Sequence, residues 1–253
     1  MNASAEGFTV FAHRGASGTE PENTLRAFRR AIEIGARWIE LDVQCVGGRL
    51  VVFHDARLER TTNGTGPLNG QTIDALRSLD AGKGEKIPFL EEVLELVDKT
   101  SKINIELKGR GTAAPTASAI EEAVGKRGWT HDQFIVSSFF RKELKTAKAL
   151  QSAIRIGFLY AGHPLLFPAR AAEKMGVYSV HLHRKCATSP LVRAIHRKGI
   201  RVFVFTVNDV EDAERLRSMR VDGIFTDYPE RFLDPEKRDS GVLRAFHNRE
   251  ENT

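Results

Sequence analysis

The residues able to do chemistry in this 253-residue chain gather in three short stretches. Phe11-Ala12-His13-Arg14-Gly15 sets a titratable imidazole beside a permanent cation where an apolar run stops at a glycine, and Pro21-Glu22-Asn23-Thr24 follows closely. Ile39-Glu40-Leu41-Asp42 alternates apolar and acidic residues and leads on to His54-Asp55, while Ile105-Glu106-Leu107-Lys108 repeats the alternation with one acid and one lysine. Side chains two apart on a strand share a face, so Glu40 can join Asp42, and Glu106 can join Lys108. Three carboxylates form a hard oxygen site suited to Mg²⁺, Mn²⁺ or Ca²⁺; zinc more often recruits His and Cys. Histidine as a residue type titrates close to neutrality, so of His13 and His54 one can take a proton from an attacking hydroxyl while the other, protonated, supplies one to a leaving alcohol. Asp55 is placed to hold the His54 ring in one tautomer. Arg14 offers a planar fork for phosphate oxygens and Lys108 a point charge. Together these are the parts of a metal-assisted attack on a phosphodiester.

Each part also has a plainer reading. The acids can pair with Lys or Arg on a rim, Arg14 can bridge to Glu20 or Glu22, Lys108 can serve as an internal partner of Glu106, and a histidine can simply hydrogen-bond in place. What favours chemistry is repetition, because two acid-bearing pairs both close apolar runs.

The elements that must position these residues are read from the hydrophobic pattern. Apolar, β-branched and aromatic runs over Phe8 to His13, Trp38 to Gln44, Ile103 to Lys108, Phe134 to Ser138, Arg155 to Tyr160, Ser179 to His183, Arg201 to Val207 and Gly223 to Thr226 predict eight strands. Between them, Thr24 to Ile34 carries Leu25, Phe28, Ala31 and Ile32 at helical spacing, with Asn23 as the expected cap. Helices are also expected over Leu90 to Val97, Ala117 to Lys126, Lys142 to Leu150, Leu166 to Met175, Leu191 to Lys198 and Val210 to Met219. Gly35, Gly128, Gly176 and Gly199 stand where a left-handed helix stop belongs. Alternating strands and helices give a parallel sheet, and eight strands close it into an α/β TIM barrel, a (β/α)8 fold; an open doubly wound sheet is the alternative. Both acidic stretches then end strands, at the rim where barrel active sites lie. One irregularity stands out. Leu50 to His54 is an extra extended run behind Gly47-Gly48, and residues 56–88, rich in Thr, Asn and Gly, read as a small insertion in the second crossover. The domain is expected over residues 8–232, with 233–253 a charged tail that includes a short closing helix.

Composition sets the outer bounds. Hydrophobic residues at 41% and charged residues at 28% are those of an ordinary soluble domain. The net charge of +5 is spread among acidic residues, so it reads as solvated helix faces that attract small anions, not as a nucleic-acid surface. Cys45 and Cys186 share no motif and require no disulfide. Residues 1–7 lack the pattern of a secretory signal and no apolar run is long enough to span a bilayer, so a cytoplasmic protein without membrane insertion is expected.

Beyond the residues themselves, the ordered series His13-Arg14-Gly15, Pro21-Glu22-Asn23-Thr24, Ala27-Phe28, Gly35-Ala36, Ile39 to Val43, Val51 to Asp55 and Leu58-Glu59-Arg60-Thr61-Thr62 closely resembles the glycerophosphodiester phosphodiesterases. Ile87 to Leu90, Glu106 to Lys108, Val136 to Phe139, Thr206-Val207-Asn208 and Asp222 to Pro229 continue the match in order, so that the resemblance spans roughly residues 8 to 232. It implies a barrel of the phosphatidylinositol-phospholipase-C-like type with an inserted subdomain. It implies one divalent cation, Mg²⁺ or Ca²⁺ with Mn²⁺ a further option, on Glu40, Asp42 and Glu106, with His13 and His54 as acid and base and Arg14 and Lys108 on the phosphate. Phe139 and Phe205 fall where the substrate pocket is expected. The implied reaction releases sn-glycerol 3-phosphate and an alcohol, through attack by the neighbouring glycerol hydroxyl and a cyclic phosphate. Two departures mark this chain. Phe205 stands where the family usually has tryptophan, keeping an apolar wall but losing the indole donor. His181-Leu182-His183 is not expected from the family; both imidazoles would share a face, and structural hydrogen bonding is the favoured role. The apolar loop His163 to Pro168 is expected to pack the next helix, with contact to an acyl chain as the alternative. Two rival functions follow: a lysophospholipase-D-like activity using the same centre, and a non-catalytic phosphate-binding barrel.

Overall fold

Alternation along the strands divides the residues of this chain into two sets, one facing the helices and one facing the barrel axis. The computed structural model describes residues 7–162 and 167–233. Among the described residues there are nine strands: β1 (Thr9–Ala12), β2 (Trp38–Val46), β3 (Arg49–Val52), β4 (Lys102–Leu107), β5 (Phe134–Ser138), β6 (Arg155–Tyr160), β7 (Ser179–His183), β8 (Arg201–Phe205) and β9 (Gly223–Thr226). All but β3 run parallel in the order β1-β2-β4-β5-β6-β7-β8-β9, and β9 returns to β1, so the sheet closes as an eight-stranded TIM barrel. Strand β3 pairs antiparallel with β2 and with no other strand, though Val51 also bridges Phe89 beyond the insertion, which makes Leu50 to His54 a hairpin appendage of the barrel.

The outer set is continuously apolar. Ile39, Leu41 and Val43 of β2, Ile103, Ile105 and Leu107 of β4, Val180 and Leu182 of β7, and Val202 and Val204 of β8 all join one large core beneath the helices. The inner set is different in kind. Phe11, Ile135, Phe203 and Phe225 fill the barrel axis as a small, mainly aromatic cluster, with the Phe11 and Phe225 rings stacked 4.4 Å apart. Above that plug, at the carboxyl ends of the strands, inward positions turn polar: Glu40 and Asp42 on β2, Asn104 and Glu106 on β4, and Ser137 on β5 are all buried. A barrel needs apolar filler on its axis, and it is the filler's upper layer that these residues replace.

Among the described residues there are eight α-helices: α1 (Leu25–Ile34), α2 (Ile73–Ser78), α3 (Leu90–Val97), α4 (Ala113–Arg127), α5 (Arg141–Leu150), α6 (Phe167–Met175), α7 (Ser189–His196) and α8 (Val210–Ser218). Helix α1 is capped one residue later than expected. Thr24, not Asn23, is the N-cap, its hydroxyl accepting from the Ala27 amide, because Asn23 is engaged elsewhere. Gly35, Gly128, Gly176 and Gly199 all take the left-handed conformation foreseen for them. The segment between β3 and α3 holds α2, a helix absent from the sequence reading. It has its own apolar cluster, in which Leu58, Leu68, Leu76, Ala81 and Ile87 pack on Val46, Val51 and Phe53. The expected closing helix, all but the first residue of the expected tail, and most of the apolar loop from His163 lie outside the described residues. Among the described residues no helix is long and apolar enough to cross a membrane.

Candidate active site

His13 and Arg14 follow β1 directly, and the turn that carries them is held in unusual backbone. Arg14 has φ 55° and Gly15 has φ 81°. A Cβ on Gly15 would lie 2.6 Å from the Ala27 carbonyl carbon, so the close approach of this turn to α1 requires glycine. The turn points the Arg14 amide at Glu40, where it donates to Oε2 at 2.8 Å. His13 Nδ1 donates to Asp227 Oδ1 at 2.7 Å, which leaves Nε2 toward the site, 4.0 Å from Glu40 Oε2. Asp227 is itself fixed by the Ser17 hydroxyl at 3.0 Å and the Asn208 amide at 2.6 Å. Burial opposes charge on Asp227, but His13, Asn208 and Ser17 together bring it down to about 2.

His54 follows β3 and is built in the same way. Its Nδ1 donates to Asp55 Oδ1 at 2.5 Å. Gln44 of β2 ties the loop down by donating to the carbonyls of Phe53 and Asp55, at 3.1 and 2.7 Å. Burial, with Arg14 and Lys108 nearby, holds the His54 imidazole below the usual histidine range despite Asp42 and Asp55. Each imidazole thus has a carboxylate behind it, the arrangement that fixes a tautomer.

Glu40, Asp42 and Glu106 are all buried, and each offers an oxygen within 4.8 Å of the others. The cost is visible in their charge states. Burial, then Asp42 and Glu106, pushes Glu40 well above the carboxylate range; burial and Asp42 push Glu106 up to about 7. Burial acts on Asp42 too, but Arg14, Lys108 and His54 outweigh it and hold the group low. Asp42 accepts from the Asn23 amide at 2.9 Å while its own backbone amide donates back to Asn23 Oδ1 at 3.2 Å, which is why Asn23 is not free to cap α1. Asp42 Oδ1 is buried with no hydrogen-bond donor. Three converging buried carboxylates and an orphaned oxygen fit a hard divalent cation, since burying such a set uncompensated is strongly unfavourable.

The cations close the site. Lys108 Nζ lies 2.8 Å from Glu106 and 3.7 Å from Asp42, and Arg14 Nε lies 3.2 Å from Asp42. Arg14 also reaches Glu22 at 2.8 Å, so the structural pairing foreseen for it exists alongside its place in the site. Phe139 and Phe205 meet edge to face, ring centres 6.1 Å apart, with Phe139 42% exposed. His181 and His183 share a face but not a depth. His181 is fully buried on the barrel axis, 2.9 Å from Ser179 Oγ, and burial takes it down to about 3; His183 sits at the rim against Phe205 and accepts from the Lys185 amide at 3.3 Å.

Sequence reasoning missed Asp227, Asn208, Gln44 and Asn23 as builders of the site. Asp227 carried a usable signal, since it ends the last strand as His13 ends the first, and in a closed barrel those strands are neighbours. Gln44 and Asn23 carried none, because their partners are set by tertiary contact.

Eight parallel strands with this polar upper layer make a TIM barrel whose acidic mouth has the parts of a hydrolase site, and known relatives give the class: phosphoric diester hydrolases. A phosphodiesterase of Oleispira antarctica, determined in complex with the product sn-glycerol-3-phosphate, superposes with a TM-score of 0.80 at 35% identity, covering 88% of this chain and 94% of that one. A sequence model of the glycerophosphoryl diester phosphodiesterase family matches residues 13–231. A glycerophosphodiester phosphodiesterase of Caldanaerobacter subterraneus subsp. tengcongensis is 40% identical over 236 residues, 88% of this chain and 96% of that protein. One of Bacillus altitudinis is 38% identical over 238 residues, 88% and 95% of the two. This chain belongs to the glycerophosphoryl diester phosphodiesterase family.

Proposed function

We propose that this chain hydrolyses glycerophosphodiesters to sn-glycerol 3-phosphate and an alcohol, with a divalent cation held by Glu40, Asp42 and Glu106 and with His13 and His54 moving the protons. The observation that carries the reading is that two imidazoles, each backed by a carboxylate, flank one cluster of three buried acids. A cation bound there supplies Lewis-acid stabilisation of charge on a phosphoryl oxygen, and the all-oxygen donor set suits Mg²⁺, Ca²⁺ or Mn²⁺. Arg14 and Lys108 hold the remaining phosphoryl oxygens as charge-assisted donors. His54, kept neutral at its position, accepts the proton of the attacking hydroxyl, and His13 Nε2 delivers one to the departing alcohol. When the attacker is the neighbouring glycerol hydroxyl, high effective molarity lowers the barrier, and water then opens the cyclic phosphate with the proton roles reversed. Phe139 and Phe205 wall the organic part of the substrate.

Release of sn-glycerol 3-phosphate from a panel of glycerophosphodiesters, with and without chelator, tests the reading. Turnover with Mg²⁺, Mn²⁺ or Ca²⁺ that chelation abolishes is expected; binding without release would make the barrel a recognition module instead. One observation favours a second substrate class. Phe139 and Phe140 are 42% and 45% exposed, an apolar rim able to meet an acyl chain. A strong preference for lysophosphatidylcholine over glycerophosphocholine would move the assignment to a lysophospholipase-D-like activity.

A further inference from the structure

We infer that Arg60, carried by the inserted segment, is a positioning residue that locks the Arg14 clamp and His54 into one arrangement; the inference rests on the reaction proposed above. An unbroken series of charge-assisted contacts joins the two. Arg14 Nη1 donates to Glu22 Oε1 at 2.8 Å, and Arg60 takes the same carboxylate with both terminal nitrogens at 2.7 Å each. Arg60 Nε then donates to Asp55 Oδ2 at 2.5 Å, and Asp55 Oδ1 accepts from His54 Nδ1. Arg14 belongs to the loop after β1 and His54 to the loop after β3, so one planar guanidinium fixes two carboxylates that orient groups on separate loops. A flexible ammonium cannot do this, because it lacks the fork.

Stability is not the main product of this network. The Arg60 side chain is 49% exposed, and ion pairs so open to water contribute little to folding. Orientation is what remains: with one Asp55 oxygen held by Arg60, the other is aimed at Nδ1, and the His54 ring must present Nε2 inward. A direct role is the rival. Arg60 also lines a groove of about 540 Å³ with Ser17, Glu20, Glu22 and Asp80, from which it could touch the departing alcohol itself. The two roles separate kinetically, since contact with substrate acts whether or not His54 is present.

A double-mutant cycle on the full chain decides, following sn-glycerol 3-phosphate release from glycerophosphocholine at saturating Mg²⁺. Arg60→Gln is expected to lower kcat about tenfold with KM within about twofold, a coupling typical of residues in one network. In a His54→Ala background the same substitution is expected to cost no more than about threefold, because the ring it orients is gone and only its hold on Arg14 through Glu22 remains. Arg60→Lys, able to hold one carboxylate but not both, falls between wild type and Arg60→Gln. Asp55→Asn supplies a second leg whose cost does not add to that of Arg60→Gln. Equal costs of Arg60→Gln in both backgrounds, or a raised KM with kcat intact, would overturn the assignment, as would a loss of kcat that follows a lowered unfolding temperature. A wild-type chain silent on every glycerophosphodiester sinks the reaction and the inference together; an active wild type with additive costs sinks the inference alone.

Discussion

At the scale of single residues, the reaction proposed above pairs each group that must act with one that holds it. His13 stands on Asp227 and His54 on Asp55, so removing an imidazole and removing its carboxylate are different experiments. His13→Ala and His54→Ala are each expected to lower kcat about a hundredfold or more, the usual contribution of a positioned proton carrier. Asp227→Asn keeps the shape around His13 but offers an amide that can turn its N–H to Nδ1 and favour the wrong tautomer. It is expected to lower kcat about tenfold or more with KM little changed, and full activity would remove Asp227 from the machinery. Arg14→Lys keeps the charge and loses the fork that spans Glu22 and Asp42, so steady-state kinetics should show both a higher KM and a lower kcat.

At the scale of elements, local signals and long-range demands divide the work. Helix α1 buries Ala27, Phe28, Ala31, Ile32 and Ile34 on one face and is started by Thr24, whose hydroxyl caps the Ala27 amide. Thr24→Ala should therefore cost about 1 kcal/mol in thermal or denaturant unfolding. The joint between first and last strands is tighter. A Cβ on Gly223 of β9 would lie 2.2 Å from the Thr9 carbonyl oxygen of β1, with no flexible side chain to move aside. Gly223→Ala is accordingly expected to destabilise the chain by about 1–3 kcal/mol or more by opening the barrel seam, and an unchanged unfolding midpoint would show that the seam can shift. The inserted segment is a third kind of element, stabilised by its own cluster around Leu58, Leu68 and Leu76 and so able to carry Arg60 at a fixed place beside His54.

For the molecule as a whole, the barrel holds a frustrated upper layer. Glu106, pushed up to about 7 by burial and Asp42, keeps a proton in the folded chain that the unfolded chain gives up nearer 4.5. Between those values the folded state binds more protons, so its stability falls as pH rises, and the full stability is present below 4.5. For Glu106 alone the loss above pH 7 is on the order of 3 kcal/mol. Metal-free protein should thus show a lower unfolding temperature at about pH 8 than at about pH 5, and Mg²⁺ or Ca²⁺ should raise it more at the higher pH, where the acids are ready to bind. Above pH 7, where Glu106 is ionised, Glu106→Gln removes a buried charge, so in chelator at about pH 8 it should melt above the wild type while losing turnover, the exchange of stability for function that a strained site implies. A variant no more stable than wild type in chelator would show that the acid layer carries no strain.

The sequence by itself determined the period of the elements and the kinds of side chain at the strand ends. Strict alternation in Ile39 to Val43 and Ile103 to Leu107 already separated a helix-facing apolar set from an axis-facing acidic one, and left-handed glycines marked where helices stop. Those features are local, set by a two-residue or 3.6-residue repeat, and the ordered motifs added the family. Which residue holds which was decided only by the tertiary structure. Asn23 serves Asp42 in place of α1, Asp227 reaches His13 across 214 positions, and Arg60 meets Glu22 from the insertion. Closing the barrel brings the first and last strands side by side, and no repeat along the chain encodes a contact that exists only because the two ends of a sheet have met.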